Sequence, residues 1–126
     1  MNYQNGTILT GRIDTMPLLY HKGIIVNGAV CHNTPSKKNE AGGNIVCEPV
    51  DTYIQNRTIV SVKQTNADDA QILKTIENDK QKPFNVLTNN CEHFVSKAIS
   101  GKSKSVQVVF VAGITILILL LFILKK

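Results

Sequence analysis

The stretch Tyr-His-Lys-Gly-Ile-Ile-Val-Asn-Gly-Ala-Val-Cys-His at residues 20–32 predicts a β-hairpin. Asn27-Gly28 lies between two runs of β-branched residues and favours a two-residue type I′ turn, because both turn positions need positive φ. A turn of fixed length fixes the strand register, so we expect Gly23 opposite His32. Side chains alternate between the faces of a strand, which makes His21 and His32 diagonal neighbours on one face, ~7–8 Å apart, with open space at Gly23 between them.

A cysteine stands at the start of a second predicted element, the helix that follows residues 89 and 90. Either asparagine at those positions can cap this helix, and Gly101 ends it. Its buried face has helical spacing of apolar residues: Phe94, Val95, Ala98 and Ile99. Free backbone N–H groups and the helix dipole favour a thiolate there, and such cysteines have pKa values of roughly 3.5–7.5 instead of ~8.5. We therefore predict a reactive Cys91, with a small buried packing residue as the alternative.

The two histidines and the cysteine together supply the groups that acyl transfer needs. One imidazole takes the thiol proton, a second polar group fixes its tautomer, and N–H groups at the helix start bind the developing oxyanion. Zinc is the alternative use of such side chains, but the chain has no Cys-x₂-Cys pair, and His93 points away from Cys91 on a helix. We predict a thiol site with no metal and no cofactor.

Three blocks of the chain, residues 20–24, 30–35 and 90–95, resemble the signature blocks of the lecithin:retinol acyltransferase-like family. This family includes the small phospholipase A/acyltransferases. The resemblance spans nearly the whole chain, and the block Asn-Cys-Glu-His-Phe at residues 90–94 is specific. It implies an α+β fold: a small antiparallel sheet with flanking helices, arranged as a circularly permuted relative of papain-like thiol hydrolases.

The resemblance also implies an activity and a role for each site residue. His21 is the implied base, His32 the third member and Cys91 the acyl-carrying nucleophile. The implied enzyme is a cysteine-dependent phospholipase A1/A2 and acyltransferase, which takes an acyl chain from a glycerophospholipid and passes it to water, a lysolipid or an amine. Two alternatives stay open: a cysteine peptidase or deconjugating enzyme with the same three groups, and a non-catalytic membrane adaptor.

The C-terminal segment, residues 106–124, carries no charge, and Gln107 and Thr115 are its only markedly polar side chains. At ~1.5 Å per residue it reaches ~28 Å as a helix, enough to cross a hydrocarbon core of ~30 Å. A buried core helix is the alternative, which the lack of a polar stripe disfavours. Because residues 1–10 are polar, we expect a single-pass, C-terminal tail anchor with the catalytic domain facing the cytosol.

Composition indicates one small domain beside a membrane. The net charge is +5, from 14 Lys and Arg against 9 Asp and Glu. The basic residues are scattered and suit an anionic bilayer surface at least as well as nucleic acid, with an ordinary solvated surface as the alternative. We predict a catalytic domain at residues 1–101, a linker at 102–105 and the transmembrane helix at 106–124. The expected partners are a phospholipid substrate and the bilayer. Three cysteines without a signal peptide argue against disulfides, so Cys31 and Cys47 are predicted to be packing residues.

The remaining elements follow from alternation, turn residues and caps. Further strands are predicted at residues 6–13, 44–47 and 57–63, and a polar loop at 33–43. A capping box at residues 65–68 precedes a predicted helix that closes near Lys80. Antiparallel strands flanked by helices favour the α+β class.

Overall fold

The structure is a computed structural model that describes residues 2–125 and contains one antiparallel sheet of five strands within that range. The strands are β1 (Thr7–Ile13), β2 (Met16–Val26), β3 (Ala29–Asn33), β4 (Ile45–Glu48) and β5 (Arg57–Gln64). The helices are α1 (Val50–Ile54), α2 (Asp69–Asp79), α3 (Cys91–Ser100) and α4 (Val106–Leu124). The strand order is β4-β3-β2-β1-β5. The predicted α+β class with a small antiparallel sheet is confirmed.

The hairpin of β2 and β3 forms as the sequence predicts. Its turn residues Asn27 and Gly28 have φ values of 52° and 78°, and the register matches the prediction as far as Ile24 opposite Cys31. The two faces of the hairpin enter two different cores. The side chain of Ile24 packs with α2 and α3, whereas that of Ile25 packs with α1 on the other face. The two-residue turn therefore decides which side chains meet the cysteine helix.

The space beside Gly23, which was predicted to be open, is occupied by the side chains of Val30 and Tyr53. The ladder of β2 and β3 ends at the pair of Ile24 and Cys31, so the pairing of Gly23 with His32 stays a prediction. A Cβ at Gly23 would lie 2.4 Å from Cγ1 of Val30 and 3.3 Å from Cε2 of Tyr53. Tyr53 is fully buried in α1, a helix of five residues that the sequence did not predict because it is too short to show helical periodicity.

Cys31 and Cys47 form a disulfide, so the prediction that both are reduced packing residues is wrong. They are opposite residues in the ladder of β3 and β4, with Cα atoms 4.0 Å apart. The sequence could not show this pairing, because residues 34–44 connect the two strands without a turn that fixes the register. The chain-entropy model gives about 3 kcal/mol for closing a loop with this sequence separation of 16. The bond also joins the residues directly before His32 and Glu48.

Helix α3 begins at Cys91 and ends at Gly101, as predicted. Asn90 is the N-cap: its side chain accepts hydrogen bonds from the backbone N–H groups of Glu92 and His93. His93 completes the capping box, because its Nδ1 accepts from the backbone N–H of Asn90 at 3.1 Å. Gly101 has φ 73° and stops the helix in the left-handed conformation. The capping box of residues 90–93 therefore fixes the start of the helix and, with it, the position of the Cys91 sulfur.

Helix α4 coincides with the predicted span and is attached to the cysteine helix at its first turn. Among residues 2–125 it is the one helix long and apolar enough to cross a membrane. The Glu92 carboxylate accepts the backbone N–H groups of Val106 and Gln107, at 3.3 and 3.2 Å. Ser105 caps α4 by accepting from Val108 and also bonds to Nδ2 of Asn90. The end of the predicted linker is thus packed against α3, and α4 starts at a defined position.

Candidate active site

The two predicted histidines are in direct contact and continue into a carboxylate. Nε2 of His21 lies 2.7 Å from Nδ1 of His32, and Nε2 of His32 lies 2.7 Å from Oε1 of Glu48. Lys37 bonds to the other carboxylate oxygen. The ladder pairs Val30 with Glu48, which makes His32 and Glu48 diagonal neighbours on one face of the sheet. We call the side chains of His21, His32 and Glu48 the relay.

The relay fixes the tautomer of each ring. A carboxylate only accepts hydrogen bonds, so Nε2–H of His32 donates to Glu48. Neutral His32 then accepts at Nδ1, and the proton of that hydrogen bond belongs to Nε2 of His21. The lone pair of His21 is therefore on Nδ1. This nitrogen is the basic atom at the end of the relay.

Burial keeps both imidazoles neutral near pH 7. It lowers the pKa of His21 to about 3, and the charges of His32 and Arg57 act in the same direction. Burial also lowers the pKa of His32 to about 4, although the hydrogen bond and charge of Glu48 oppose it. Burial raises the pKa of Glu48, but hydrogen bonds from Lys37 and His32 outweigh that effect and hold it below its usual value. The resting relay therefore carries its negative charge on Glu48.

Cys91 lies where the start of α3 reaches the backbone of β2, and it is 5% exposed. Its Sγ lies 4.0 Å from the carbonyl oxygen of Tyr20. Burial raises the pKa of the thiol, although the backbone N–H groups of Lys22 and Glu92 interact with the sulfur and act to lower it. The predicted low pKa is therefore wrong, because loss of hydration outweighs the helix start.

His21 and Cys91 face the same cavity, which has a volume of about 700 Å³. Within residues 2–125, no hydrogen bond joins Sγ to either imidazole. The structure therefore brings the two histidines together and places the thiol in the wall of the cavity that His21 also lines. Catalytic hydrogen bonds are often long before substrate binds. A second cavity of about 400 Å³ contains Lys82 and Lys97, both paired with the buried carboxylate of Asp79, and lies away from the relay.

Glu48 and Tyr53 also belong to the site, although neither was predicted from the sequence. The hydroxyl of Tyr53 donates to the carbonyl oxygen of His21 at 2.8 Å, and its ring meets that of His32 edge-on at 5.1 Å. Tyr53 therefore positions the backbone of one histidine and the ring of the other. The signal for Glu48 is a single acid that ends the apolar run at residues 45–47. Its partner could not be assigned without the β3–β4 register.

The reactivity of the thiol should rise steeply with pH. Since only the thiolate is alkylated and the folded pKa lies above the ordinary value of ~8.5, we expect Cys91 to react with iodoacetamide more slowly than a free cysteine at neutral pH. Its rate should still increase through the ordinary thiol range. The same protein unfolded in guanidinium serves as the control with an unperturbed thiol. A flat rate between about pH 5 and 8 is the mark of a thiolate–imidazolium pair and would contradict this assignment.

The site combines a thiol at a helix start with an imidazole–imidazole–carboxylate relay, which are the groups of a cysteine-dependent acyl-transfer centre. The catalytic roles of His21, His32 and Cys91 stay predictions. No protein-family model, curated protein or solved structure matches this chain.

Proposed function

We propose that this protein is a membrane-anchored thiol phospholipase A/acyltransferase of the lecithin:retinol acyltransferase-like type. It takes an acyl chain from a glycerophospholipid onto Cys91 and transfers it to water, a lysolipid or an amine. The observation that carries the proposal is the shared cavity: Cys91 and His21 face an apolar space that continues along α4, the helix fit to cross a membrane. A bilayer lipid is the substrate that such a site would meet at the highest local concentration.

The proposed first half-reaction forms a thioester. Sγ of Cys91 attacks the ester carbonyl carbon as Nδ1 of His21 takes the thiol proton. The carbon–oxygen bond of the ester then breaks, and the proton returns from His21 to the leaving oxygen of the lysophospholipid. Because thiol and imidazole are both neutral at rest, proton transfer accompanies the attack and does not precede it. The charged His21 that forms is stabilised through His32 by Glu48.

The second half-reaction restores the thiol. His21 takes a proton from the acceptor, which is water, a lysolipid hydroxyl or an amine, and the acceptor attacks the thioester carbon. The carbon–sulfur bond breaks, and His21 returns the proton to the sulfur. The same base serves both steps, as in other two-step acyl transfers.

The order of the elements supports a permuted thiol-hydrolase fold. In papain-like enzymes the cysteine precedes the histidine in the chain. Here β2 and β3 carry His21 and His32, and α3 with Cys91 follows them. A circular permutation of the papain-like arrangement would produce this order. The apolar cavity favours a lipid substrate over a peptide substrate. A neutral, desolvated relay that shares a cavity with a thiol has no evident role in a non-catalytic membrane adaptor.

Incubation of the full chain with phospholipid vesicles tests the proposed function. We expect lysophospholipid and free fatty acid to accumulate and mass spectrometry to find an acyl thioester on Cys91. Protein alkylated at Cys91 with iodoacetamide is the control and should form neither product. Cleavage of peptide amides with no attack on phospholipid would support the peptidase instead, and the absence of any thioester would contradict the mechanism.

The orientation in the membrane belongs to the same proposal. The cytosolic position of the domain stays a prediction, which protease protection of sealed membranes measures. The Cys31–Cys47 disulfide argues for the opposite side, because such bonds persist mainly in oxidising compartments. If the domain resists protease inside sealed vesicles whose interior corresponds to the non-cytosolic side, the cytosolic orientation is wrong.

A further inference from the structure

We infer that α4 forms one wall of an acyl-chain groove that starts at Cys91, so that the membrane helix selects the length of the transferred chain. This inference rests on the proposed function and names the part of the molecule that binds the apolar half of the substrate. It gives α4 a second task, since the sequence alone indicated only an anchor without reactive groups. The helix would then act on substrate choice as well as on membrane attachment.

One face of α4 lines the cavity that contains Cys91. The contributing residues have the spacing of a single helical face: Val108, Val111, Ala112, Thr115 and Ile116. All but Thr115 are apolar, and the hydroxyl of Thr115 donates to the carbonyl oxygen of Val111 in its own helix. This face therefore offers an acyl chain methyl and methylene contacts with few free polar groups.

The groove begins at the level of the reactive sulfur. Nε2 of Gln107 donates to the carbonyl oxygen of Tyr20 at 3.3 Å, and Sγ of Cys91 lies 4.0 Å from that same oxygen. From Gln107 to Ile116 the helix advances nine residues, or ~13 Å at ~1.5 Å per residue. An extended chain whose carbonyl carbon is at Cys91 thus has a helix wall beside it for roughly that length.

The part of the cavity lining that lies outside α4 is also largely apolar and is partly exposed. Leu19 and Leu87 also line the cavity, and their side chains are 46% and 64% exposed although they are large and hydrophobic. Met16 and Val86 extend the same rim, with 55% and 66% exposure. Large exposed apolar side chains around a cavity mark a surface that meets lipid or a partner. Because the reactive thiol lies at one end and a membrane helix forms the side, we assign the occupant as a lipid acyl chain.

The start of α4 is fixed to helix α3, which carries Cys91. Glu92, the residue after Cys91, accepts the first two N–H groups of α4, and Ser105 bonds to the N-cap of α3. A flexible tether would leave the distance between Cys91 and the helix face undefined. Here three hydrogen bonds hold the start of α4 against the start of α3.

Adjacent residues of α4 provide a matched test of the groove. Ala112 lines the cavity, whereas Gly113 does not, and a Cβ added at Gly113 meets nothing within 4 Å. We expect Ala112→Phe in the full chain to lower turnover of dipalmitoyl glycerophospholipid on the order of 10–100-fold, because its ring occupies the space of several methylenes. Turnover of the dihexanoyl lipid, whose chains end before Ala112, should change less than about threefold. Gly113→Phe should leave both rates unchanged.

A graded variant and a short-chain readout keep the test decisive. Ala112→Leu should give a smaller loss in the same direction, and retained dihexanoyl turnover shows that each variant is folded. Equal losses on both lipids in the Phe and Leu variants, or the same chain-length profile in Ala112→Phe and Gly113→Phe, would overturn the groove. Lack of turnover of either lipid by the unmodified protein would instead contradict the proposed function, and the groove with it.

Discussion

Replacing Cys91 with serine is expected to abolish acyl transfer and iodoacetamide labelling while the domain stays folded. The hydroxyl is close in size to the thiol, so the packing at the start of α3 should persist. Its proton is much harder to remove, and the neutral His21 relay is a weak base for an alcohol. When catalytic residues act together, loss of the nucleophile lowers turnover on the order of 10³-fold or more.

The variant is measured with vesicles for turnover and with thermal unfolding for the fold. A melting temperature close to that of the unmodified protein separates loss of chemistry from loss of structure. Ser100→Ala, at the far end of the same helix, is the matched control and should retain turnover, since its hydroxyl donates to the carbonyl oxygen of Ser96 and accepts from the backbone N–H of Lys102, and it has no contact with the relay. Full turnover by Cys91→Ser would exclude the thiol mechanism.

Local signals explain what the sequence could predict. The hairpin follows from a turn of two residues, because Asn27-Gly28 leaves no freedom in the register of the flanking strands. Helix α3 follows from a cap, helical spacing and a closing glycine, all of which the structure contains. Helix α4 follows from apolar length alone. Each of these features is decided by residues that are close together in the chain.

Two properties of the site depend on distant residues and could not be predicted. Residues 34–44 separate β3 from β4, so the sequence does not indicate that Cys31 meets Cys47 or that His32 meets Glu48. Both contacts follow from one register. The pKa of the thiol depends on how far Cys91 is buried, which is set by packing against β2. The helix start and the burial act in opposite directions, and only the three-dimensional structure shows that burial prevails.

We expect substitutions of the two relay histidines to lower turnover by different factors. His21→Ala removes the basic nitrogen, and loss of a general base costs typically ~10²–10⁴-fold in rate. In His32→Gln, the amide oxygen can accept from Nε2–H of His21 and the amide nitrogen can donate to Glu48, so both hydrogen bonds of the relay have a substitute. The remaining loss should be on the order of tenfold, the equivalent of about one net hydrogen bond.

His93→Gln is the matched control for these two variants. His93 is a third histidine, but it caps α3 and takes no part in the relay, and glutamine at this position of a capping box can replace it. Turnover by His93→Gln should therefore stay close to that of the unmodified protein. The three variants are compared by steady-state turnover on vesicles and by thermal unfolding. Equal and complete loss of turnover in His21→Ala and His32→Gln, with the fold intact, would show that the base and the orienting group are not assigned correctly. A residue that only orients a base can be replaced without removing that base, provided that its hydrogen bonds are preserved.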